Sequence, residues 1–526
     1  MSGIGHLRDR AEGVVDYRRK AVVAGEVLFA GLRAWSDRVL SGPGLAALFI
    51  AIYALAYLAR FPLPKWYAVP QVTFYSIQPY RFLVALSLTA AAVALVALGW
   101  RMWSLAQTLP RRAVIPLILA GWLGASLCAI FTYPGQSTDI GDYIFRGHML
   151  AHLGRNPLTT PPSALIAWKQ FSYLSWYWEP DFYGPLWQWL SVAMHRLAGE
   201  NILANFLAYK LLATAAIGLC GWLIYATLAR LAPGYAAAGL ALWLWNPLVI
   251  NAGSLDGHND FALIALVLAG MALLLRNRWD VKPRTGSARL AAACIDVAGI
   301  LLLVAAGLVK ATGWVVLPVA AVWLLRSRGV WKGTALFALG LLAGVALVWL
   351  TYRPFGGWDL VLTMAQKRSW WPANTWTAAL FFALRDARHI PHAVVVRSVI
   401  GGASALFAIL AGIVLLRVRE LRLSAWGVSL AYLLVGSHWF QPWYAALSIG
   451  LAALIPDRHV ARYTLILSFF MLLYPIASPL VATWKTLPPG AYHAIMAFLV
   501  LLAPQVLAVG LAVSRLRPGR RLNVAA

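Results

Sequence analysis

The chain has 526 residues, of which 61% are hydrophobic and 12% are charged, and its mean hydropathy is +0.71. This composition excludes a soluble globular protein and indicates an integral membrane protein that crosses the bilayer many times. The formal net charge of +26 does not indicate nucleic-acid binding, because the basic residues stand in short runs between apolar segments. We therefore expect membrane lipids, and no nucleic acid, among its partners.

Residues 1–40 form a segment of their own, in which basic residues alternate with apolar ones at helical spacing. The pattern predicts a basic amphipathic cytoplasmic segment lying on the membrane surface, and a merely solvated basic arm fits equally well. No cleavable signal peptide is expected, since the first long apolar run starts near Leu45. The cysteines Cys128, Cys220 and Cys294 lie in apolar stretches without metal-binding spacing and are expected to be packing residues.

Apolar windows long enough for a spanning helix follow in chain order. They lie near 43–60, 82–100, 113–131, 203–227, 235–252, 261–276, 290–308, 312–326, 333–352, 395–416, 424–441, 443–456, 460–478 and 491–513. The predicted fold class is all-α, a polytopic transmembrane helical bundle of about 14 helices with a large outer loop. Residues 41–526 are expected to form this single membrane domain.

The distribution of basic residues predicts the sidedness of the bundle. If the N-terminus is cytoplasmic, nearly every short basic loop and the C-terminus are cytoplasmic too. Segment 184–198 must then be a helix on the outer face that does not span. The outer face receives the remaining loops, which are 132–202, 253–260, 353–394, 438–443 and 479–490. Every unusual polar cluster lies in these loops, so we expect a plasma-membrane protein with its active site outside.

Asp139 and Asp142 stand near the start of the first outer loop, 132–202. Three residues apart, they would share one face of a helical turn, and two nearby carboxylates raise one of the two pKa values. Such a pair suits a general base that acts on a hydroxyl group. The alternative is a helix N-cap provided by Ser137, Thr138 or Asp139, which is compatible with catalysis.

Glu179 and Asp181 lie further along this loop among tryptophans and tyrosines, Tyr183 included. Aromatic rings stack on sugar rings while carboxylates accept hydrogen bonds from hydroxyl groups, so the stretch predicts a sugar site. An aromatic belt at the membrane interface would explain the rings but not the acids. His438 and Gln441 stand among aromatic residues at a later outer turn, where the same two interpretations apply.

The turn from Asp256 to Asp260 places four polar or charged residues between two apolar helices. His258, Asn259 and Asp260 are therefore candidates for substrate binding, and a solvated turn without function is the alternative. A divalent cation could bind here, although no recognised metal motif is present, and no cofactor is firmly indicated. The chain also has no glycine-rich nucleotide loop, so a reaction on the outer face would need a donor delivered by a lipid.

Lys310 stands alone in an apolar stretch at the outer end of a predicted helix. A lysine is costly there unless it meets an anion or reaches the membrane interface. Arg353, Lys367 and Arg368 add cations in the next outer loop, and together these residues could hold a phosphate group. Anchoring of anionic lipid headgroups is the alternative for each of them.

Several short motifs follow one another along the chain between about residues 130 and 450. They are Asp139…Tyr143…Phe145-Arg146-Gly147…Gly154-Arg155-Asn156-Pro157, Tyr183-Gly184-Pro185-Leu186, Trp245-Asn246-Pro247, Gly257-His258-Asn259-Asp260, Lys310 followed by Pro318, and Gln441-Pro442-Trp443-Tyr444. This ordered set resembles the GT-C class of membrane glycosyltransferases, nearest to the bacterial polyprenyl-phosphate-mannose-dependent mannosyltransferases. It resembles more distantly the first mannosyltransferase of glycosylphosphatidylinositol-anchor synthesis. Arg146 stands where the bacterial enzymes often have a second acid.

The resemblance implies an inverting transfer of a hexose, with mannose expected, from a polyprenyl-phosphate-linked sugar donor to a hydroxyl group of a lipid or glycan acceptor. Asp139 stands at the position of the general base, while an alignment to the anchor-synthesis enzymes would assign that role to Asp142. Lys310, helped by Arg353, Lys367 or Arg368, would neutralise the leaving phosphate. A lipid or polysaccharide flippase and a lipid-linked glycan polymerase or ligase are the alternatives. Polar clusters on one face and the lack of internal repeats favour the enzyme over the flippase.

Overall fold

The computed structural model describes residues 42–70, 73–77, 80–276, 286–367, 372–484 and 486–516. Within these ranges the chain is helical, and its only extended pairings are two isolated bridges. The all-α prediction is confirmed. The predicted N-terminal segment, residues 1–40, lies outside the described residues.

Eight helices of the described chain are long and apolar enough to cross a membrane, so the chain is a multi-pass membrane protein. These helices are Arg81–Thr108, Arg111–Ile130, Ile202–Leu231, Gly286–Val309, Val330–Phe355, His392–Arg417, Arg458–Val481 and Ala491–Leu511. A ninth candidate is a bent pair, Pro233–Leu244 with Pro247–Leu255. Two shorter apolar helices are Pro43–Leu58 and Leu421–Gly436.

Each of the 14 predicted windows coincides with helical structure, although not every helix has spanning length. The three windows not yet accounted for contain helices Asp260–Arg276, Leu317–Arg328 and Ala445–Ala452, of 17, 12 and 8 residues. At a rise of about 1.5 Å per residue, they fall short of the roughly 30 Å hydrocarbon core. Hydropathy located these segments correctly, but polar turns at 256–260, at Lys310 and at 437–441 interrupt the helices beside them.

The bend in the ninth candidate has a local cause at Asn246 and Pro247. Pro247 cannot donate the backbone hydrogen bond that would continue the helix, and the side chain of Asn246 accepts N–H groups from Leu248 and Val249 to cap a new one. The two halves meet at 46°. The Asn246 amide also donates to Ser468 at 2.8 Å, which fixes the bend against the Arg458–Val481 helix.

Two helices that lie between the spanning helices belong to loop 132–202, which is the first predicted outer loop. The acid helix, Asp139–Ala151, packs against the Pro185 helix, Pro185–Ala198. The second helix has 14 residues, a length that agrees with the predicted helix that does not span. The two helices are therefore positioned by packing against each other and against the bundle, and not by crossing the membrane.

Gly184 determines where the Pro185 helix meets the bundle. Its N–H donates to the carbonyl oxygen of Val309 at 3.0 Å, and a Cβ atom at position 184 would lie 2.0 Å from the carbonyl oxygen of Leu308. Only glycine allows this approach. It places Tyr183 beside Lys310, which follows directly after the end of the Gly286–Val309 helix.

The three cysteines are free and differ in exposure. Cys220 is buried, Cys128 is half-buried and Cys294 is exposed. The expectation that all three are packing residues therefore holds for Cys220 and is wrong for Cys294. An apolar window gives no information about which side of its helix faces the bundle.

Candidate active site

Asp139 is the first residue of the acid helix, at the positive end of the helix dipole. Its own N–H donates to the hydroxyl of Ser137, and its side chain remains 16% exposed. The hydroxyl of Tyr183 donates to Asp139 Oδ2 at 3.5 Å, and His258 Nδ1 lies 3.6 Å from the same oxygen. Two segments that are distant from Asp139 in the sequence thus converge on its carboxylate.

His258 reaches this position because the turn before it bends sharply at Gly257, whose φ is +73°. The imidazole stacks on the ring of Trp443, with centroids 3.8 Å apart. Burial, and to a smaller degree the charge of Lys310, lowers the pKa of His258 well below its usual value, so the ring is neutral. Within the described chain, neither ring nitrogen of His258 nor the side-chain amide of Asn259 makes a hydrogen bond.

Lys310 pairs with Asp260 through two contacts of 2.9 Å, one to each carboxylate oxygen. Its Nζ atom also lies 4.1 Å from the ring centroid of Tyr444 and 5.6 Å from that of Tyr183. Both rings can stabilise the cation through their faces. The lysine is therefore held in one position on the same side of the site as Tyr183.

The environment of Asp139 sets its protonation near neutral pH. Burial raises the pKa of Asp139 to about 6, against the opposing effect of the Lys310 charge. The nearby Asp260 adds a smaller increase in the pKa of Asp139. A carboxylate that titrates close to neutrality is suited to accept a proton from a hydroxyl group.

Asp142 is buried on the next turn, and its carboxylate is occupied by the loop that covers the helix. Its oxygens accept N–H groups from Ser175 at 3.3 Å and Trp176 at 3.2 Å. Burial raises the pKa of Asp142 to about 7, against the opposing effect of Arg146. The Arg146 guanidinium in turn donates to the carbonyl oxygens of Trp176 and Glu179. The two groups together fix the loop over the acid helix.

The structure separates the other predicted pair of acids. Asp181 is buried, where it accepts hydrogen bonds from the N–H of Tyr183 at 3.1 Å and from the amide of Gln188 at 2.9 Å. Its Oδ2 also lies 3.8 Å from Arg146. The side chain of Glu179 is exposed. Asp181 thus orients the segment that carries Tyr183, whereas Glu179 lies on the surface.

The sequence leaves open a divalent-cation site among the acids and the histidine of the 256–260 turn. In the part of the chain that the structure describes, no three His, Cys, Asp or Glu side chains come together in a way that could hold a metal ion. Asp260, one of the candidates in the 256–260 turn, is paired with Lys310.

Residues 40–326, more than half of the chain, match the family model for alpha-(1->6)-mannopyranosyltransferase, N-terminal domain. The chain belongs to this family. The matched region contains Asp139, Tyr183, His258, Asp260 and Lys310, whereas Trp443 and Tyr444, which contact His258 and Lys310, lie beyond it.

Curated relatives carry the same family description. Alpha-(1->6)-mannopyranosyltransferase A of Corynebacterium glutamicum is 28% identical over 200 residues, which cover 37% of this chain and 36% of that protein. A probable alpha-(1->6)-mannopyranosyltransferase of Mycolicibacterium smegmatis is 29% identical over 203 residues, covering 37% and 35%. Alpha-(1->6)-mannopyranosyltransferase A of Mycobacterium tuberculosis is 29% identical over 256 residues, 44% of each chain. The matches thus span between about a third and under a half of the relatives, and no solved structure matches the chain significantly.

In this member of the mannopyranosyltransferase family, the remaining predicted site residues lie in other surroundings. Arg353 stacks over Trp349 at 5.3 Å, at the end of a long helix. Lys367 is the last residue of helix Gly357–Lys367, and Arg368 lies outside the described residues. His438 Nε2 lies 3.1 Å from the hydroxyl of Ser404. Gln441 begins the turn that carries the two site aromatics.

Sequence reasoning missed several residues of the family member's site. Trp443 and Tyr444 follow Gln441 in a turn whose rings were interpreted as an interfacial belt or a sugar contact, yet they lie against His258 and Lys310. Tyr143 belongs to the first of the ordered motifs, and its hydroxyl donates to that of Tyr183 at 3.5 Å. The motif Gln441-Pro442-Trp443-Tyr444 was the available signal, but it does not reveal which ring meets which polar group.

Proposed function

We propose that this protein transfers a mannosyl group from a polyprenyl-phosphate donor to a hydroxyl group of a lipid or glycan acceptor. The observation that carries the proposal is the partly exposed Asp139, with a pKa raised to about 6, in one cluster with the cation Lys310. A base and a cation side by side meet the two demands of displacing a phosphate by an alcohol. The names of the family and of its relatives support mannose as the sugar and an alpha-(1->6) linkage as the product.

In this mechanism Asp139 removes the proton of the acceptor hydroxyl group while the hydroxyl oxygen attacks the anomeric carbon. The bond from that carbon to the phosphate oxygen breaks, and the phosphate keeps the bonding electrons. A single displacement inverts the anomeric configuration. The Tyr183 hydroxyl and the neutral His258, both close to Asp139 Oδ2, hold the carboxylate in position for the incoming hydroxyl.

Lys310 would stabilise the negative charge that develops on the leaving phosphate. Its pairing with Asp260 and its contacts with two tyrosine rings fix its position before the donor arrives, so little reorganisation is needed. Arg353, Lys367 and Arg368 remain candidates for a second cation on the phosphate. Asn259, whose buried amide has no partner in the described chain, would bind a sugar hydroxyl group.

The proposal also places the site on the outer face of the plasma membrane, with both termini cytoplasmic. Its support is the charge distribution, since the predicted topology puts the short basic loops on the opposite side from the polar cluster. A donor carried by a lipid fits this location, because nucleotide sugars are not available outside the cell.

The decisive experiment measures transfer from polyprenyl-phosphate mannose to membrane lipid or glycan by the purified full chain. Asp139→Asn should reduce kcat by about 100-fold to 10,000-fold, the usual contribution of a general base. Asp386→Asn is the matched control, because Asp386 pairs with Arg385 away from the cluster and its loss should leave kcat unchanged.

Other outcomes would revise specific parts of the proposal. Transfer that survives in Asp139→Asn and is lost in Asp142→Asn would make Asp142 the base. If the wild-type chain transfers nothing from this donor, the mannosyl assignment fails, and a panel of lipid-phosphate sugars follows. Transfer of a whole glycan rather than a single sugar would favour the polymerase or ligase.

A further inference from the structure

Lys210 is a buried cation that the proposed mechanism does not use. It lies within the spanning helix Ile202–Leu231 and is 0% exposed. Its Nζ atom donates to the carbonyl oxygens of Ala129 at 3.3 Å, of Ile130 at 3.1 Å and of Thr132. An ammonium group inside a membrane bundle is costly, so its retention needs a reason.

The three carbonyl groups lie at and just beyond the C-terminus of helix Arg111–Ile130. Carbonyls at a helix end lack partners within the helix and carry the negative end of its dipole. Lys210 supplies these missing partners. Residues 129–132 are followed by the short segment 133–138, which leads to Asp139. By holding residues 129–132, the lysine fixes the backbone from which the segment to the proposed base begins.

Lys210 also holds the turn that carries His258. Asp256 interacts electrostatically with Lys210, and its carboxylate accepts the backbone N–H of Gln136, three residues before Asp139. Gly257 lies between Ile140 and the lysine stem, since a Cβ atom there would meet Ile140 at 2.9 Å and Lys210 Cγ at 3.6 Å. One side chain thus contacts both segments that meet at the Asp139–His258 contact.

We infer that Lys210 is a positioning residue that fixes the spacing between the Asp139 segment and the 256–260 turn. The inference rests on the proposed function, because it assigns the lysine to the geometry of that site. Lys210 contacts neither Asp139 nor Lys310, the two residues proposed to act on the reacting groups. It therefore acts through the backbone segments that position the site.

A nearby hydroxyl chain provides a matched control. Thr214 donates to Ser254 at 3.0 Å, and Ser254 donates to Ser126 at 3.2 Å. This chain joins the same three elements as Lys210, and the Thr214 hydroxyl also lies 2.7 Å from the backbone carbonyl oxygen of Lys210, but none of its hydroxyl groups is a partner of the Lys210 ammonium group. Ser254→Ala therefore removes a buried hydrogen bond between these elements while every partner of the Lys210 ammonium group is kept.

The test compares Lys210→Met, Lys210→Arg and Ser254→Ala in the full chain with two readouts. The first is hydrogen exchange of peptides that cover 129–145 and 252–262, which does not depend on any reaction. The second is kcat and KM for mannosyl transfer. Lys210→Met should speed exchange in both peptides together and lower kcat on the order of 100-fold at similar KM, since small misplacements of reacting groups have effects of this size.

Lys210→Arg should recover part of both properties, because a second cation can reach the same carbonyl groups. Ser254→Ala should leave both near the wild-type values. Unchanged exchange in the two peptides of Lys210→Met, or an equal change in Ser254→Ala, would overturn the inference. Faster exchange with no transfer even by wild type would instead refute the proposed function and leave the positioning role standing.

Discussion

At the scale of single residues, Asp139 and Asp142 differ in their partners rather than in their chemistry. Burial raises the pKa of both carboxyl groups, to about 6 and about 7. The carboxylate of Asp142 accepts hydrogen bonds from two backbone N–H groups of the covering loop. Asp139 instead faces a tyrosine hydroxyl and an imidazole, and it stays partly exposed. The acid that keeps access to a ligand is the better candidate for the base.

The acidic limb of the pH profile should report the protonation of Asp139. We expect kcat/KM to fall as pH decreases through about 6, because the base must be deprotonated to act. Lys310 lowers the pKa of Asp139 and Asp260 raises it. Lys310→Met should therefore move the limb to higher pH, and Asp260→Asn should move it to lower pH. Steady-state transfer measured from pH 4.5 to 9 would follow both shifts.

The opposite signs make this prediction specific. Both variants should lose activity at the optimum, so a loss alone is uninformative and only the position of the limb counts. Asp386→Asn should leave the limb in place. A limb that stays fixed in all three variants would mean that Asp139 is not the group that titrates.

At the scale of elements, close backbone approaches decide how the loop helices meet the bundle. The Pro185 helix starts against the carbonyl groups of Leu308 and Val309, which immediately precede Lys310. Tyr183, one residue before Gly184, thereby reaches both Lys310 and Asp139. Gly184 thus sets the start of the Pro185 helix, and this start places Tyr183 between Lys310, the proposed phosphate partner, and Asp139, the proposed base.

Gly184→Ala should disrupt this arrangement by sterics alone. The φ angle of Gly184 is −71°, which alanine adopts readily, but its Cβ would lie 2.0 Å from the Leu308 carbonyl oxygen. The helix start must move away, and we expect a fall in transfer on the order of 100-fold together with a lower Tm. Gly234→Ala is the control, because its Cβ would meet nothing within 4 Å. Wild-type activity in Gly184→Ala would show that this contact does not position Tyr183.

At the scale of the whole molecule, residues from four distant stretches form one polar cluster. Asp139, the 256–260 turn, Lys310 and the 442–444 turn are joined by direct contacts. The short basic loops lie in other parts of the chain, as the positive-inside rule requires of the cytoplasmic side. The cluster and these loops should therefore face opposite compartments.

Cysteine labelling in intact cells can test this sidedness. Trp178 is 52% exposed in loop 132–202, which is predicted to be outside, and Arg419 is exposed in a basic loop. After removal of the exposed Cys294, a membrane-impermeant maleimide should label Trp178→Cys in intact cells and Arg419→Cys only after permeabilisation. The reverse pattern would place the cluster in the cytoplasm and remove the argument for a lipid-linked donor.

The sequence by itself determined the class of the protein and the places of its helices, and it singled out most members of the proposed site. Apolar windows predict helices because a bilayer accepts only backbone whose hydrogen bonds are satisfied internally. Charged residues such as Asp139, Asp260 and Lys310 stand out for the same reason, since each is costly in an apolar chain. The ordered motifs also led to the family that residues 40–326 match.

Only the tertiary structure decided which of these residues meet. It paired Lys310 with Asp260, turned Asp142 and Asp181 toward the loop backbone, and left Glu179 on the surface. It also added Lys210, a charged residue within the apolar window 203–227 whose carbonyl partners only the helix packing reveals. The physical reason is that the free-energy cost of a polar residue in an apolar segment is visible in the local sequence. Its partner, in contrast, depends on how distant helices pack. Asp260 and Lys310 are 50 residues apart, and the hydrogen-bonded pair Tyr57 and Asn251 is 194 residues apart.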